Sequence, residues 1–353
     1  MPESVQMVTK KITIKDIARI AGVTPTTVSM ALNNRPRISD KTRQKILKIS
    51  NELNYRPDLL ARSLISKKSY TIGLVINNIS DPFFPELAQG IEEKARELGY
   101  NVILCNINRS MRSQGERIEM LRSKGVDGII CTTALVDDPH IRKLVDDNFP
   151  FVLINRRHYD PDLAGKINYV VLDNFSGGYT VIKHLYRLGH DRVAVLAGNF
   201  QTSTVIERNK GALQAMKDCG IKQSPRLTIK CDYSFEQAYN ATKKLMKMKS
   251  PPTAIFSHDD NMALAAREAI LEMGLKIPED IALVGFDDIR TTSLTGIELT
   301  TISQKKYEMG ELGVKILVEN LEKEVPPMVN QLVLKAQMVI RKSCGYHMTG
   351  YVR

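Results

Sequence analysis

No stretch of 18 consecutive apolar residues occurs anywhere in the chain, so nothing has the length a membrane-spanning helix needs and no membrane partner is expected. Aromatics are scarce, 6% with no tryptophan, so rings placed beside loops stand out. Cysteine is scarce too. Cys105, Cys131, Cys219, Cys231 and Cys344 are scattered, with no CxxC pair and no histidine at ligand spacing beside them. That argues against a disulfide framework or a zinc site, and neither metal nor cofactor is expected. The opening residues, MPESVQMVTKKITIKD, lack the apolar segment of a secretory signal, so reduced thiols in a cytoplasmic protein are expected. There is no GxGxxG, P-loop, GxSxG or HExxH, hence no sign of an enzyme. His258-Asp259-Asp260 reads as a triad only on paper, because triad members meet in space rather than in sequence.

Charge is present in an uneven form. The chain carries a net +11 over 353 residues, but residues 1–70 hold 14 Lys/Arg against 5 Asp/Glu, while the remaining 283 hold 36 against 34. A basic head in front of a near-neutral body is the electrostatic footprint of a nucleic-acid binder. At 43% hydrophobic and 25% charged residues, the rest is ordinary globular material, long enough for two or three domains.

The head is patterned. Ile14, Ile17, Ala18 and Ala21 recur at helical spacing, with Thr13 as N-cap and Gly22 where a left-handed residue ends a helix. Thr24 caps a second helix with Pro25 at its first position, and Val28 and Leu32 face inward. Two short helices joined by a Gly-containing turn make a helix-turn-helix. A third helix starts at Ser39 and buries Ile46, Ile49 and Leu53. The N-terminal part of the second helix enters the major groove in such a unit. Thr24, Pro25, Thr26, Thr27, Ser29, Met30 and Asn33 are therefore the candidate DNA contacts. Pro25, Thr26 and Met30 are aimed at base edges, and Ser29, Asn33, Lys41 and Arg43 at phosphate.

Residues 58–64, DLLARSL, predict one or two helical turns, too short to stand alone in water. Ala61 and Leu64 complete the candidate DNA set. Leu64 is either an apolar wedge for a minor-groove step or a buried linker leucine.

From residue 70 Val/Ile-rich runs alternate with helical stretches of 11–16 residues. Strands are predicted at 71–76, 101–105, 126–131, 150–154, 169–172, 192–197, 227–231, 253–257 and 281–286. This order demands parallel sheets covered by helices on both faces. Two doubly wound sheets of about five strands each are expected, with helix 305–320 and strands near 329–342 crossing back between them.

Ligands bind such sheets outside the carboxyl ends of the strands. The residues there are Asn77, Asn78, Asp81, Phe83, Phe84, Asn155, Arg156, Thr202, Thr204, Arg208, Tyr233, Asp259, Asp260, Asp287 and Asp288. Carboxylates and amides accept from hydroxyls, Arg208 donates a planar fork, and the rings can stack. A small polar ring, a sugar or a base, suits that mixture. Asp260 can equally be the N-cap of the next helix, and Phe83 a core residue.

The chain resembles the lactose/galactose repressor (LacI/GalR) family along nearly its whole length. The carrying segments are TIKDIARIAGVTPTTVSMALN (13–33), YRPDLLARSL (55–64), IGLVINNISDPFF (72–84), GVDGII (125–130), RLGHDRVAVLAG (187–198), DDNMALAA (259–266), LVGFDD (283–288) and LTTISQ (299–304). The resemblance implies a homodimer on double-stranded, pseudo-palindromic operator DNA, with Leu64 as the minor-groove wedge. It implies a small-molecule effector, sugar or purine, contacted by Phe83, Phe84, Asn155, Arg156, Thr202, Thr204, Arg208, Tyr233, Asp259 and Asp287, with Gln304 near a crossover. Two positions depart from the family pattern: Met30, where relatives often carry Arg or His, and Asn155, where they often carry Asp. The tail RKSCGYHMTGYVR has no leucine heptads, so a dimer is expected rather than a tetramer. The expected domains are a helix-turn-helix at 11–56, a hinge at 57–69, and an α/β, periplasmic-binding-protein-like body at 70–345. The body divides into 70–172 with 304–335 and 173–303 with 336–345. A solute-binding protein would share that body but would need an export signal and no basic head.

Overall fold

The computed structural model describes residues 12–32, 36–53, 55, 68–108, 110–322 and 329–348, and among them three helices belong to the first of two units. The units are residues 1–69 and 70–353. Helix α1 (Ile14–Ala21) begins at Thr13, whose N–H and hydroxyl both donate to the Asp16 carboxylate at 3.0 and 2.7 Å. It ends at Gly22, held at φ 69°, a conformation open to a residue without a Cβ. Helix α2 (Pro25–Leu32) is capped by the Thr24 hydroxyl, which accepts from the Thr27 N–H at 3.2 Å. Helix α3 (Asp40–Glu52) is capped by Ser39, accepting from Thr42 N–H at 3.3 Å. Ile17, Ala18, Ala21, Val28, Ala31 and Ile46 form the small core among them. The Lys45 ammonium donates to the Ala21 carbonyl at 3.0 Å and ties α3 to the end of α1.

The second unit holds two parallel sheets. The first contains β1 (Thr71–Ile76), β2 (Asn101–Asn106), β3 (Gly128–Cys131), β4 (Phe151–Ile154), β5 (Tyr169–Leu172) and β11 (Gln331–Leu334), ordered β11-β5-β4-β3-β1-β2. Its helices are α4 (Phe83–Glu97), α5 (Met111–Ser123), α6 (Pro139–Asp146) and α11 (Lys306–Glu322). The second contains β6 (Val193–Ala197), β7 (Thr228–Lys230), β8 (Ala254–Ser257) and β9 (Ala282–Val284), ordered β7-β6-β8-β9. Around it lie α7 (Asn174–Arg187), α8 (Ser203–Asp218), α9 (Phe235–Met246) and α10 (Asp260–Glu272). The buried β1, β3 and β4 of the first sheet and β6, β8 and β9 of the second read as continuous apolar runs, as strands covered on both faces must. The chain passes between the two lobes three times, after β5, after β10 (Thr301–Ser303) and after β11.

The strand count differs from five and five. Six strands fall in the first sheet because β11 adds beyond β5. The second keeps four because residues 300–303 do not join it as a fifth strand, and the run predicted over 281–286 stops at Val284. Asp287 and Asp288 take positive φ, 121° and 53°, so residues 300–303 touch β9 and its extension only through single bridges. Instead β10 pairs antiparallel with β12 (Gln337–Val339).

In the second lobe α7 and α8 are in backbone contact. A Cβ on Gly178 would run into the Arg208 carbonyl, and one on Gly211 into that of Phe175. This close approach sets where the Arg208 side chain leaves α8.

Candidate functional site

The carboxyl ends of both sheets face one cleft. Asn77 and Asp81 follow β1, Phe83 and Phe84 open α4, Asn155 and Arg156 follow β4, and Arg208 projects from the second turn of α8. Tyr233 follows β7, Asp259 follows β8, Asp287 follows β9 and Gln304 follows β10. The cleft is a narrow slot with a cavity volume of about 40 Å³.

Arg208 organises the slot. It is 2% exposed. Its Nε donates to Asn174 Oδ1 at 2.8 Å, its Nη1 donates to the His258 carbonyl, and its Nη2 lies 3.7 Å from Asp287 Oδ1. The guanidinium carbon stands 3.6 Å above the centre of the Phe286 ring, a cation–π contact made in a desolvated place. Asp287 also accepts from Gln304 Nε2, and the Lys306 ammonium donates to the Asp287 carbonyl at 2.7 Å.

Burial governs the electrostatics. It raises the Asp287 carboxyl well above its ordinary range, with Arg208 offsetting part of the effect. Asp259 is pushed up to about 7 by the same loss of water, opposed by the Met262 N–H that it accepts. Burial lowers the Arg156 guanidinium, and Arg208 lowers it further. Strongly shifted acids and bases cluster at sites built for ligands. Three wall residues also hold left-handed backbone: Asn155 at φ 62°, Tyr233 at 60° and Asp287 at 121°. For Tyr and Asp such angles cost on the order of 1–3 kcal/mol each.

Several buried polar atoms here have no hydrogen-bond partner among the described residues: Asn155 Oδ1, Gln304 Oε1 and Arg156 Nε. A buried acceptor or donor left alone costs on the order of 1–3 kcal/mol, so these atoms favour a ligand that satisfies them.

Nine of the residues singled out for the effector line the cleft. Thr202 and Thr204 stand behind its wall instead. Thr204 Oγ1 accepts from Arg156 Nη1 at 2.9 Å, and Thr202 stands at the N-cap position of α8 while its hydroxyl donates to the Asn199 carbonyl at 2.7 Å. The N-cap role expected of Asp260 falls to its neighbour. Asp259, not Asp260, is the N-cap of α10, and it lines the slot as well. Asp260 is wholly buried, accepting from Thr301 Oγ1 and Ile289 N–H at 2.7 and 2.9 Å. Phe83 is both core and wall, edge-on to Phe84. Asn174, Phe286 and Lys306 escaped the sequence reading. The one signal for Asn174 was its place just after β5.

In the first unit Thr24, Pro25 and Thr26 are exposed at the start of α2, while Thr27, Ser29 and Met30 are half-buried. Thr24 and Thr27 hydroxyls also bond each other at 2.9 Å. Asn33, Ala61 and Leu64 lie outside the described residues, as does nearly all of the hinge.

A helix-turn-helix followed by two doubly wound lobes around a polar cleft defines a DNA-binding transcriptional regulator with a periplasmic-binding-protein-like body. Residues 13–58 match the model of bacterial regulatory proteins of the lacI family. Residues 69–330 match that of periplasmic binding proteins and the sugar-binding domain of the LacI family. The chain belongs to the lacI family. It is 37% identical to the HTH-type transcriptional regulator DegA of Bacillus subtilis, over 85% of this chain and 88% of that one. It is 35% identical to the HTH-type transcriptional repressor PurR of Photobacterium profundum, over 94% and 98%. Among solved structures it resembles the lac repressor dimer bound to operator and the anti-inducer ONPF, with TM-score 0.83, 28% identity and coverage of 95% and 99%. The CelR–cellobiose complex matches at TM-score 0.72 and 27% identity, covering 94% and 99%. The relatives are regulators, and the chain is not an enzyme.

Proposed function

We propose that the protein is a homodimeric repressor whose affinity for a pseudo-palindromic operator is set by a small ligand in the cleft. The observation that carries the reading is the set of buried, unpartnered amide oxygens, Asn155 Oδ1 and Gln304 Oε1, beside the Arg208 fork and the Asp259 and Asp287 carboxyls. Acceptors predominate, which suits a ring that presents several hydroxyl donors, so a sugar is the first choice. Phe83, Phe84 and Tyr233 in the same wall favour a second reading, a purine held by stacking.

Both lobes supply wall residues, so a ligand that bridges them changes their spacing. In a dimer that movement alters the separation of the two hinges, and with it how Leu64 of each chain engages the minor groove. Thr24, Pro25 and Thr26 are the major-groove end of the reader, with Thr27, Ser29 and Met30 beside them and Asn33 as a further candidate contact. A coupling of about 1–3 kcal/mol between the two sites corresponds to roughly 5–150-fold in operator affinity. A thermal-shift screen of sugars and nucleobases tests the reading. A hit that raises the melting temperature of the wild type and not of Arg208→Ala supports the cleft; equal shifts in both place the ligand elsewhere.

A further inference from the structure

The two lobes are joined by more than the three crossovers. The loop after β3 reaches the second lobe where Val136 N–H donates to the Gln201 carbonyl at 3.0 Å. The loop after β4 does so more strongly. Arg157 N–H donates to Ser203 Oγ at 2.8 Å, Arg157 Nη1 meets Glu207 Oε1 at 3.2 Å, and the Tyr159 hydroxyl donates to that same oxygen at 2.9 Å. None of these residues lies in a crossover. Arg157 is fixed to the first lobe by lying over the Tyr169 ring, 5.1 Å from its centre. Glu207 is fixed to the second by its place in α8, one residue before Arg208. The pair is shielded, with side-chain exposures of 26% and 16%.

We infer that Glu207 is a positioning residue. One carboxylate oxygen, gripped by Arg157 and Tyr159, latches the lobes together and so holds the effector walls at their closed spacing. The argument is mechanical. Opening the cleft must separate Glu207 from two donors at once, and a charge-assisted bond in a shielded place is stronger than a surface ion pair. Because Arg208 is the next residue on α8, whatever pins Glu207 also limits the movement of the Arg208 fork. The latch would set how long an effector stays, without touching it. This rests on the cleft being the effector site, but the test below needs no effector, so failure of the latch and failure of that assignment give different results.

The test is hydrogen exchange on the full-length protein without ligand. The readouts are the Val136 and Arg157 amides, which bond across the lobes. Glu207→Ala should speed exchange in segments 132–137 and 155–159 by about 3–10-fold, with β1 and β6 amides unchanged. Raising ionic strength should speed the same segments in the wild type and do little in Glu207→Ala. The charge-swapped pair, Arg157→Glu with Glu207→Arg, should restore most of the protection. Unchanged exchange in both segments of Glu207→Ala overturns the latch. So does equal acceleration of β1 and β6, which would mark a general loss of stability. If Glu207→Ala does not fold, Glu207→Gln, which keeps the Tyr159 bond and loses the ionic one, is read in the same way.

Discussion

Replacing Arg208 by alanine removes the centre of the cleft, and the structure allows the cost to be worked out. The side chain is 2% exposed. It gives up hydrogen bonds to Asn174 Oδ1 and the His258 carbonyl, the pairing with Asp287 and the stack on Phe286. Stripping one partner from a buried ion pair typically costs about 3–5 kcal/mol, because the other charge stays buried without compensation. Asp287 can escape part of this by taking up a proton, since burial already holds its carboxyl well above the ordinary range. The net loss is therefore placed at about 3 kcal/mol at pH 8 and less at pH 5, where the proton is easier to obtain. A body of ordinary stability, about 5–15 kcal/mol, survives that. The assay is urea unfolding followed by far-UV circular dichroism, because the chain has no tryptophan. Arg208→Met, which keeps volume over Phe286 without the charge, separates packing from electrostatics. A loss below about 1 kcal/mol at pH 8, or one that grows on going to pH 5, refutes the reasoning.

Three other outcomes are expected. Burial lifts Asp259 from 3.8 to about 7, so the folded protein holds a proton that the unfolded chain has released. Stability then falls as pH rises from about 4 to about 7. Asp259→Asn keeps the α10 cap and should gain about 1–4 kcal/mol at pH 8; pH-dependent unfolding that matches the wild type contradicts this. Gly178→Ala drives a methyl into the Arg208 carbonyl, a backbone atom that cannot step aside, and should cost about 1–3 kcal/mol by thermal or urea unfolding. Leu64→Ala should weaken binding to a specific site by ten-fold or more, about 1.4 kcal/mol, and leave random-sequence DNA nearly unaffected. Equal losses on both in a fluorescence anisotropy titration count against a wedge.

Features set by neighbouring residues were legible in the sequence. Thr13, Gly22, Thr24, Pro25 and Ser39 mark their helix ends by local chemistry, and the body's strands announce themselves as apolar runs. The rule that ligands sit at strand carboxyl ends picked out Phe83, Asn155, Tyr233, Asp259 and Asp287, which the fold brings to one cleft. Features made by distant segments were not legible. The Phe286 stack under Arg208 joins α8 to the end of β9, and the Asn174 contact joins it to the start of α7. That Asp259 rather than Asp260 caps α10 turns on which carboxylate meets Thr301 and Ile289, some 30 to 40 residues away. The division into six and four strands follows from β11 returning to the edge of the first sheet and from residues 300–303 pairing with β12 rather than β9, which no hydrophobic pattern encodes. Thr202 and Thr204 were placed in the wall because they follow β6. Thr204 lies behind it because Arg156 reaches across and takes its hydroxyl, and Thr202 because its hydroxyl turns back to the Asn199 carbonyl.

The coupling of cleft to operator is tested most directly by one titration. The full-length protein is used to select its site from a random duplex pool, and that labelled site is then titrated with and without a saturating amount of the sugar or nucleobase found by thermal shift. Operator affinity should change by about 5–150-fold in the wild type, and Arg208→Ala should bind the same site with near-wild-type basal affinity and show no change. Identical operator affinity in the wild type with and without the bound ligand would contradict control of DNA binding from the cleft.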